Sequence, residues 1–507
     1  MASFRRHFYL LAGLTLTAAC RQPPPPAEPM AAEPTVAAGA TAYAPNRADL
    51  ARMAMELGND REVAAPLPAT PTTERIAAPS QGAVQIETQL AHTNLPQGGG
   101  DTALRVRLRA SDAAPQQQAA RRIVVLDATT AMAGRPWHHL CAALRSLARG
   151  LTANETLQVV VAQDPPTWTT AAASAADAAA AVERACSVRP HGDSALAAAL
   201  SSLGPAAPGT GQGLSHLLVA ASTRQHLMQP ADPAVAEALR RWLGPQRTVS
   251  TLLVGPDADP GLIGLSAPPV AAPLWWARDP SQLAETVQDW RTATADTVAT
   301  ALDVRVYLAE GVQLRDPRAA EAVPAAAAAT ATSPATAQPT ANRPPLRWQL
   351  PWLRRGDQHD LAVSVRVAAG SGRAAVARVD FAYRDEELRR PARHVSQRGL
   401  QREGTSTKAA QPAVLWSAWM TATAATLIEA SAARPGATLT RSRDALRAAA
   451  AEADALVAML GSEAARSGAA RLRAVSVWAD RLEPHQLRTF QAYCHLLSRW
   501  LGATVGR

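Results

Sequence analysis

The 507 residues, 47% hydrophobic and 18% charged, are enough for several domains with buried cores, while 39 Pro and 29 Gly call for long irregular stretches. The excess of 51 basic over 42 acidic residues is almost all Arg, with Lys408 the single lysine; it is scattered and forms no stripe interleaved with aromatics, which argues against nucleic-acid recognition. Collagen, a coiled coil and a polytopic membrane protein are excluded by the lack of a G-x-y period, a sustained heptad or a membrane-length apolar run, and four cysteines without a C-x-x-C exclude a zinc ribbon, a thioredoxin-type site and a disulfide-dense scaffold.

Residues 1–20 read as an address. Arg5, Arg6 and His7 precede a short apolar stretch, Phe8 to Leu16, and Leu16-Thr17-Ala18-Ala19-Cys20 follows. Small residues before a single Cys resemble a bacterial lipobox, with Cys20 as the lipidated residue and the membrane reached through that anchor. The usual Leu at the third position before the Cys is replaced by Thr17. Arg21 carries no Asp-type signal for inner-membrane retention, so the expected address is the outer membrane, facing the periplasm. Residues 21–78, with Pro23 to Pro26 unbroken, read as a disordered Pro/Ala-rich tether, interrupted by one short helix over Ala48 to Leu57.

Val84 to Leu90 and Leu104 to Leu108 alternate apolar and polar residues, as half-buried antiparallel strands do. Ile123-Val124-Val125-Leu126 is continuously apolar, as a strand covered on both faces should be. Helices are expected over Trp137 to Arg149, Ala171 to Ala185, from Ser194, over Pro233 to Leu243 and over Pro280 to Ala293. Strands are expected at Leu157 to Ala162, His216 to Ala220, Val249 to Val254 and Leu274 to Trp276. This alternation over 119–298 predicts a doubly wound, mostly parallel α/β sheet. Alternating strands return at Leu302 to Leu308, Val363 to Val367 and Val376 to Tyr383. Residues 79–118 and 299–388 are therefore expected to form a β-sandwich into which the α/β domain is inserted, with 319–345 a disordered Ala/Pro/Thr loop. A basic linker over 389–411 and a helical domain over 412–507 complete the chain. Apolar spacing at Leu439, Leu446, Leu456, Leu460, Val475, Trp478 and Leu482 marks the helical domain.

After the first buried strand stands Asp127-Ala128-Thr129-Thr130-Ala131-Met132. This resembles the opening of a von Willebrand factor type A domain, where the family has Asp-x-Ser-x-Ser. Gly192-Asp193-Ser194 sits where the family has Gly-Gly-Thr, and Ala221-Ser222-Thr223 where it has Thr-Asp-Gly. Thr251 to Gly255 and Leu262 to Leu265 are similar to later family segments. The flanking strands resemble a bacterial subgroup labelled Ca-activated chloride channel homologues, although no segment here is expected to conduct ions. The resemblance covers roughly 80–385. It implies a metal-ion-dependent adhesion site in which hydroxyls and carboxylates hold Mg²⁺, with one position open for an acidic residue of a partner. Asp127 keeps a carboxylate, Thr129 a hydroxyl, and Ser194 stands in for the Thr. Ala131 offers no oxygen and Ser222 no charge, so the site is degenerate. Asp127 is read as structural, capping the next helix or bonding loop N–H groups, with metal ligation by Asp127, Thr129 and Ser194, rescued by Asp193, as the alternative.

His138 and Cys141, i and i+3 on one helix, are a possible pair of metal ligands, set against simple packing. His191, Asp193 and Ser194 lie too close in sequence to converge as a triad, and no G-x-S-x-G, P-loop or H-E-x-x-H occurs, so no enzyme activity is expected. Cys141 and Cys186 are the one sensible pair in an oxidising envelope, or else small buried residues, with Cys494 left over. One of Trp275 and Trp276 should face the core and its neighbour the opposite side. The expected function is a non-catalytic protein-interaction or scaffolding module of the cell envelope, with an unknown protein partner, no nucleic acid and no cofactor. The alternative is a Mg²⁺-dependent adhesion or sensor module.

Overall fold

A computed structural model describes residues 47–58, 82–112, 119–169, 174–203, 213–222, 233–255, 258, 274–315, 345–404, 411–432, 437–460 and 463–505. The signal peptide, Cys20, most of the expected tether, Thr223, the 262–265 segment and nearly all of the 319–345 loop lie outside the described residues.

The first described element is a helix, α1 (Arg47–Gly58), followed by β1 (Val84–Leu90), β2 (Asn94–Leu95) and β3 (Gly100–Ala110). The central region runs β4 (Ala120–Asp127), α2 (Arg135–Arg149), β5 (Glu155–Ala162), β6 (Thr167–Trp168), α3 (Ala175–Cys186), α4 (Leu196–Ser202), β7 (Leu214–Ala221), α5 (Pro233–Trp242), β8 (Arg247–Val254), β9 (Leu274–Ala277) and α6 (Leu283–Ala295). These strands make one sheet in the order β6-β5-β4-β7-β8-β9, parallel except for β6. The apolar run in β4 is explained by burial on both faces. Ile123 and Val125 enter one cluster, and Val124 and Leu126 the other. Trp275 is buried in one layer and Trp276, on the edge strand β9, packs against the other, donating its Nε1–H to the Gly255 carbonyl at 2.9 Å.

α2 shows how local sequence sets an element. Gly134 precedes it at φ 78°, Pro136 sits in its first turn, and Trp137, Leu140, Cys141, Leu144, Leu147 and Ala148 line one buried face at helical spacing. α3 starts at Ser174, whose hydroxyl accepts the Asp177 N–H at 3.1 Å. A disulfide joins Cys141 of α2 to Cys186 of α3, with Cα atoms 5.8 Å apart. The sulfur of Cys141 is therefore taken, and the His138–Cys141 metal pairing is not available. Cys494 is buried and free, and burial pushes its thiol pKa up.

The chain then forms β10 (Thr297–Leu308), β11 (Val312–Leu314), β12 (Leu346–Arg354), β13 (Gln358–Val367), β14 (Gly372–Asp385) and β15 (Arg390–Arg402). With the N-terminal strands they build two sheets, β1-β3-β13-β11 and β12-β10-β14-β15-β2. One apolar cluster joins them, with Val106, Leu108, Val363 and Val365 from the first sheet and Val304, Val306, Val379 and Phe381 from the second. Strands from before and after the α/β segment thus share one core.

The linker expected over 389–411 is corrected here. β15 pairs antiparallel with β14 from Asp385↔Arg390 to Gly372↔Arg402. Its composition is polar because only Leu400 of the strand is fully buried; His394 stacks on Phe381 and Tyr383 rather than entering the core. The partner strand, more than the local sequence, makes it a strand. Trp352 of β12 crosses between regions: it is buried in the α/β cluster that holds Trp290 rather than in the cluster of its own sheet.

Four helices follow: α7 (Pro412–Ala432), α8 (Ala437–Leu460), α9 (Glu463–Arg481) and α10 (Leu487–Val505). α7 is apolar all round and packs on β3 and β13 as well as on α8 and α10. Beneath it the buried Asp360 carboxylate takes two 2.7 Å hydrogen bonds from Arg107, a 3.5 Å contact from Arg105 and a 3.3 Å hydrogen bond from the Ser417 hydroxyl. α1 lies on α10, with Leu50, Met53, Ala54 and Leu57 buried, so the expected tether contains a packed helix. No described helix is long and apolar enough to cross a membrane.

Candidate functional site

β4 is flanked by β5 on one side and β7 on the other: the chain steps one way from β4 to β5 and β6, then crosses back past β4 to reach β7. Such a switch point opens a crevice beyond the strand ends, where ligands of doubly wound sheets commonly bind. Asp127, the last residue of β4, stands there fully buried. The register Leu126↔Ala220 brings the end of β7 alongside, and Ser222 follows immediately.

Two loops are fastened over this end of the sheet. The His191 N–H donates to the Ala128 carbonyl at 2.9 Å, and the Thr130 N–H and hydroxyl both reach the Gly192 carbonyl, at 3.2 and 3.3 Å. That clasp delivers Ser194, whose hydroxyl donates to Asp127 Oδ1 at 2.9 Å. Asp127 Oδ2 and the Thr129 hydroxyl are buried and have no hydrogen-bond partner among the described residues. Burial pushes the Asp127 carboxyl up to about 7, the Ser194 hydrogen bond opposing it only in part.

Asp127, Thr129 and Ser194 therefore come together at one strand end. Ser222 is also buried, and a Cβ placed on Gly255 would lie 3.5 Å from its hydroxyl, so the end of β8 closes on the same region. Ala131 lies in a single 3₁₀ turn, Thr130–Met132, and contributes no oxygen. Asp193 is exposed. The capping role expected of Asp127 is not what the structure has: the residue before the 3₁₀ turn is Thr129, α2 starts after Gly134, and the bond Asp127 makes is to a side-chain hydroxyl across the crevice. The His191 ring faces the Arg189 carbonyl through Nδ1 at 2.8 Å, while Ser194 directs its proton to Asp127.

As a donor set for Mg²⁺ these residues fit poorly. The ion favours six hard oxygens in a near-octahedron, usually with carboxylate charge. Here one carboxylate faces neutral hydroxyls, and position 131 has no oxygen. With its pKa raised to about 7, the Asp127 carboxyl carries less than a full negative charge near neutrality, which further weakens it as a cation ligand.

Sequence reasoning did not single out the opposite end of the same sheet. There the buried Arg122 donates to Glu155 at 2.7 Å and to the Thr294 hydroxyl at 2.7 Å, and Arg291 reaches the other Glu155 oxygen at 2.7 Å. Burial pushes the Glu155 carboxyl up, but the two guanidiniums and the Thr152 N–H outweigh it and hold the group at about 2. A charged residue opening an otherwise apolar strand was the available signal. The short helix expected over Ala48 to Leu57 is α1, and what local pattern did not show is that it docks on α10.

No family model matches the sequence, and no curated protein matches it. Solved structures do. A von Willebrand factor type A protein from Catenulispora acidiphila aligns with a TM-score of 0.52 at 17% identity, over 78% of this chain and 90% of that one. The ArnB paralog VWA2 from Sulfolobus acidocaldarius aligns with a TM-score of 0.50 at 10% identity, over 82% of this chain and 98% of that one. At these identities the likeness is one of fold: the chain has a von Willebrand A-like fold.

Proposed function

We propose that this chain is a non-catalytic protein-interaction or scaffolding module of the cell envelope that works without a resident metal ion. The observation that carries the metal-independent reading is the Asp127–Ser194 hydrogen bond, in a site whose remaining members are neutral and where Ala131 supplies no oxygen. The fold likeness supports an interaction role, since this architecture places variable loops over a crevice at the strand ends. Residues 1–20 are proposed as a signal peptide, with Cys20 lipidated and the body held at the outer membrane facing the periplasm. In that case Cys20→Ala moves the protein from the membrane pellet to the soluble envelope fraction. A pellet that keeps the variant after a high-salt wash rejects the anchor.

Metal independence has a direct test. Binding to the folded state alone adds stability as RT ln(1 + [L]/Kd). Millimolar Mg²⁺ or Mn²⁺ should leave the melting temperature of the unmodified protein unchanged. The double change Ala131→Ser with Ser222→Asp returns an oxygen and a charge and should create a metal-dependent rise, which Asp127→Ala removes. The second reading, a Mg²⁺-dependent adhesion or sensor module, is favoured by the two orphaned oxygens on Asp127 and Thr129. A metal-induced rise in the unmodified protein that disappears in Asp193→Ala would establish it.

A further inference from the structure

We propose that α10, with α9 beside it, forms a groove for an amphipathic helix, and that α1 fills this groove as a releasable latch. The contact joins parts of the chain more than four hundred residues apart, since Glu56 and Thr489 are separated by 433 positions. Among its described side chains α1 buries Leu50, Met53, Ala54 and Leu57, at i, i+3, i+4 and i+7. That is the anchor spacing by which a separate helix is read in a groove. Arg52 and Met55 are exposed, and Glu56 is exposed at the edge of the contact. Register is set by two hydrogen bonds: Gln486 Nε2 donates to the Glu56 carbonyl at 3.2 Å and the Thr489 hydroxyl to Glu56 Oε2 at 3.3 Å.

The latch is weak compared with the body it rests on. A helix of 12 residues is marginal in water by itself, so α1 is helical because the groove orders it. Among the described side chains four apolar ones, one of them Ala, are buried against the ordering cost of the segment, and α1 takes part in no strand pairing or disulfide. Release therefore precedes any opening of the sheets, as local unfolding of the least stable element. Its effect is geometric. Residues 59–81 connect α1 to the first sheet and contain Pro66, Pro68, Pro71 and Pro79. Fully extended, such a segment spans on the order of 75 Å. With α1 docked the N-terminal chain leaves the body from Arg47 on α10; with α1 free it leaves from the first sheet, a longer reach, and apolar surface on α10 is uncovered. The occupant this surface fits is a helix with the spacing of α1.

The test uses the full chain. Leu50→Asp with Met53→Asp unseats α1, and a fluorescent peptide of residues 45–60 is titrated against both forms. The variant is expected to bind the peptide at least tenfold more tightly than the unmodified protein, whose groove is filled, while a peptide of the same composition in scrambled order does not bind. Equal binding to both forms, binding of the scrambled peptide, or no binding to a variant whose circular dichroism and melting match the unmodified protein overturns the proposal. Hydrogen exchange on the unmodified protein gives an independent reading. The amides of α1 should exchange at least tenfold faster than those of α7 and α10, and equal rates would show that α1 is a permanent part of the helical layer.

Discussion

At the scale of single residues, two buried carboxylates at opposite ends of one sheet respond to acid in opposite directions. Asp127 has its folded pKa raised to about 7 from an ordinary 3.8. Between those values the folded state holds the extra proton, so this group makes the protein less stable as pH rises from about 4 to about 7, by roughly 4 kcal/mol in all, and has no further effect above. Asp127→Asn keeps an acceptor for Ser194 and should flatten that part of the stability–pH curve. Melting temperatures of the two proteins from pH 4.5 to 8 check it, and parallel curves would count against the assignment. Glu155 has its folded pKa depressed to about 2, so its contribution is complete above its ordinary value of 4.5 and fades as pH falls toward 2. Asp127 was conspicuous in the sequence through the resemblance of Asp127 to Met132 to the opening of a von Willebrand A domain. The sequence could not show that Ser194 would be the bond's other half, because that depends on the clasp between the 128–132 and 188–194 loops.

At the scale of elements, legibility followed burial symmetry. β4 and β7 are covered on both faces and could be read from unbroken apolar runs, Ile123 to Leu126 and Leu217 to Ala221. β1 and β3 were legible from alternation, with Leu104, Val106 and Leu108 in the two-sheet core, although α7 also covers part of the other face of β3. β15 was not, because its neighbours in space, β14 and β1, supply the burial: the Thr88 and Ser396 hydroxyls meet at 2.6 Å and Arg398 Nε donates to the Thr88 carbonyl at 2.7 Å across more than three hundred residues. Cysteine spacing named the Cys141–Cys186 pair but could not distinguish a bond from two packed thiols. That bond closes a 45-residue separation, and in the chain-entropy picture such a link contributes about 4 kcal/mol at most. Cys141→Ala with Cys186→Ala should lower stability by roughly 2–4 kcal/mol in urea unfolding. It should also abolish the effect of reductant on the melting temperature. A reductant effect that survives in the double variant would mean that another sulfur is responsible.

Across the whole molecule, the α/β region and the paired sheets are joined by more than a chain crossing. Trp352 belongs to β12 but fills the α/β core, Gln246 donates its N–H to Thr300 of β10 at 3.1 Å, and Arg355 donates its N–H to the Asp296 carbonyl at 2.9 Å. Trp352→Ala should cost about 3–5 kcal/mol and divide one unfolding transition into two, as calorimetry would show. A single transition at unchanged temperature would mean that the junction holds without it. Neither the burial of Trp352 outside its own sheet nor the docking of α7 on β3 and β13 could be read from local pattern, because both depend on how finished regions meet. The pairing of β3 with β13 has a further consequence, for the order of assembly. Arg107 lies opposite Asp360, so the N-terminal hairpin obtains its central partner only after the entire α/β region has been made. Until then β3 offers a bare edge and β1 and β3 an uncovered apolar face, the features that invite pairing with the wrong chain. Loop closure over such a distance is slow, and the inserted region, whose strands meet near neighbours, can condense first. The two-sheet core is then the last part to close, and the waiting hairpin is where the chain is most exposed to aggregation.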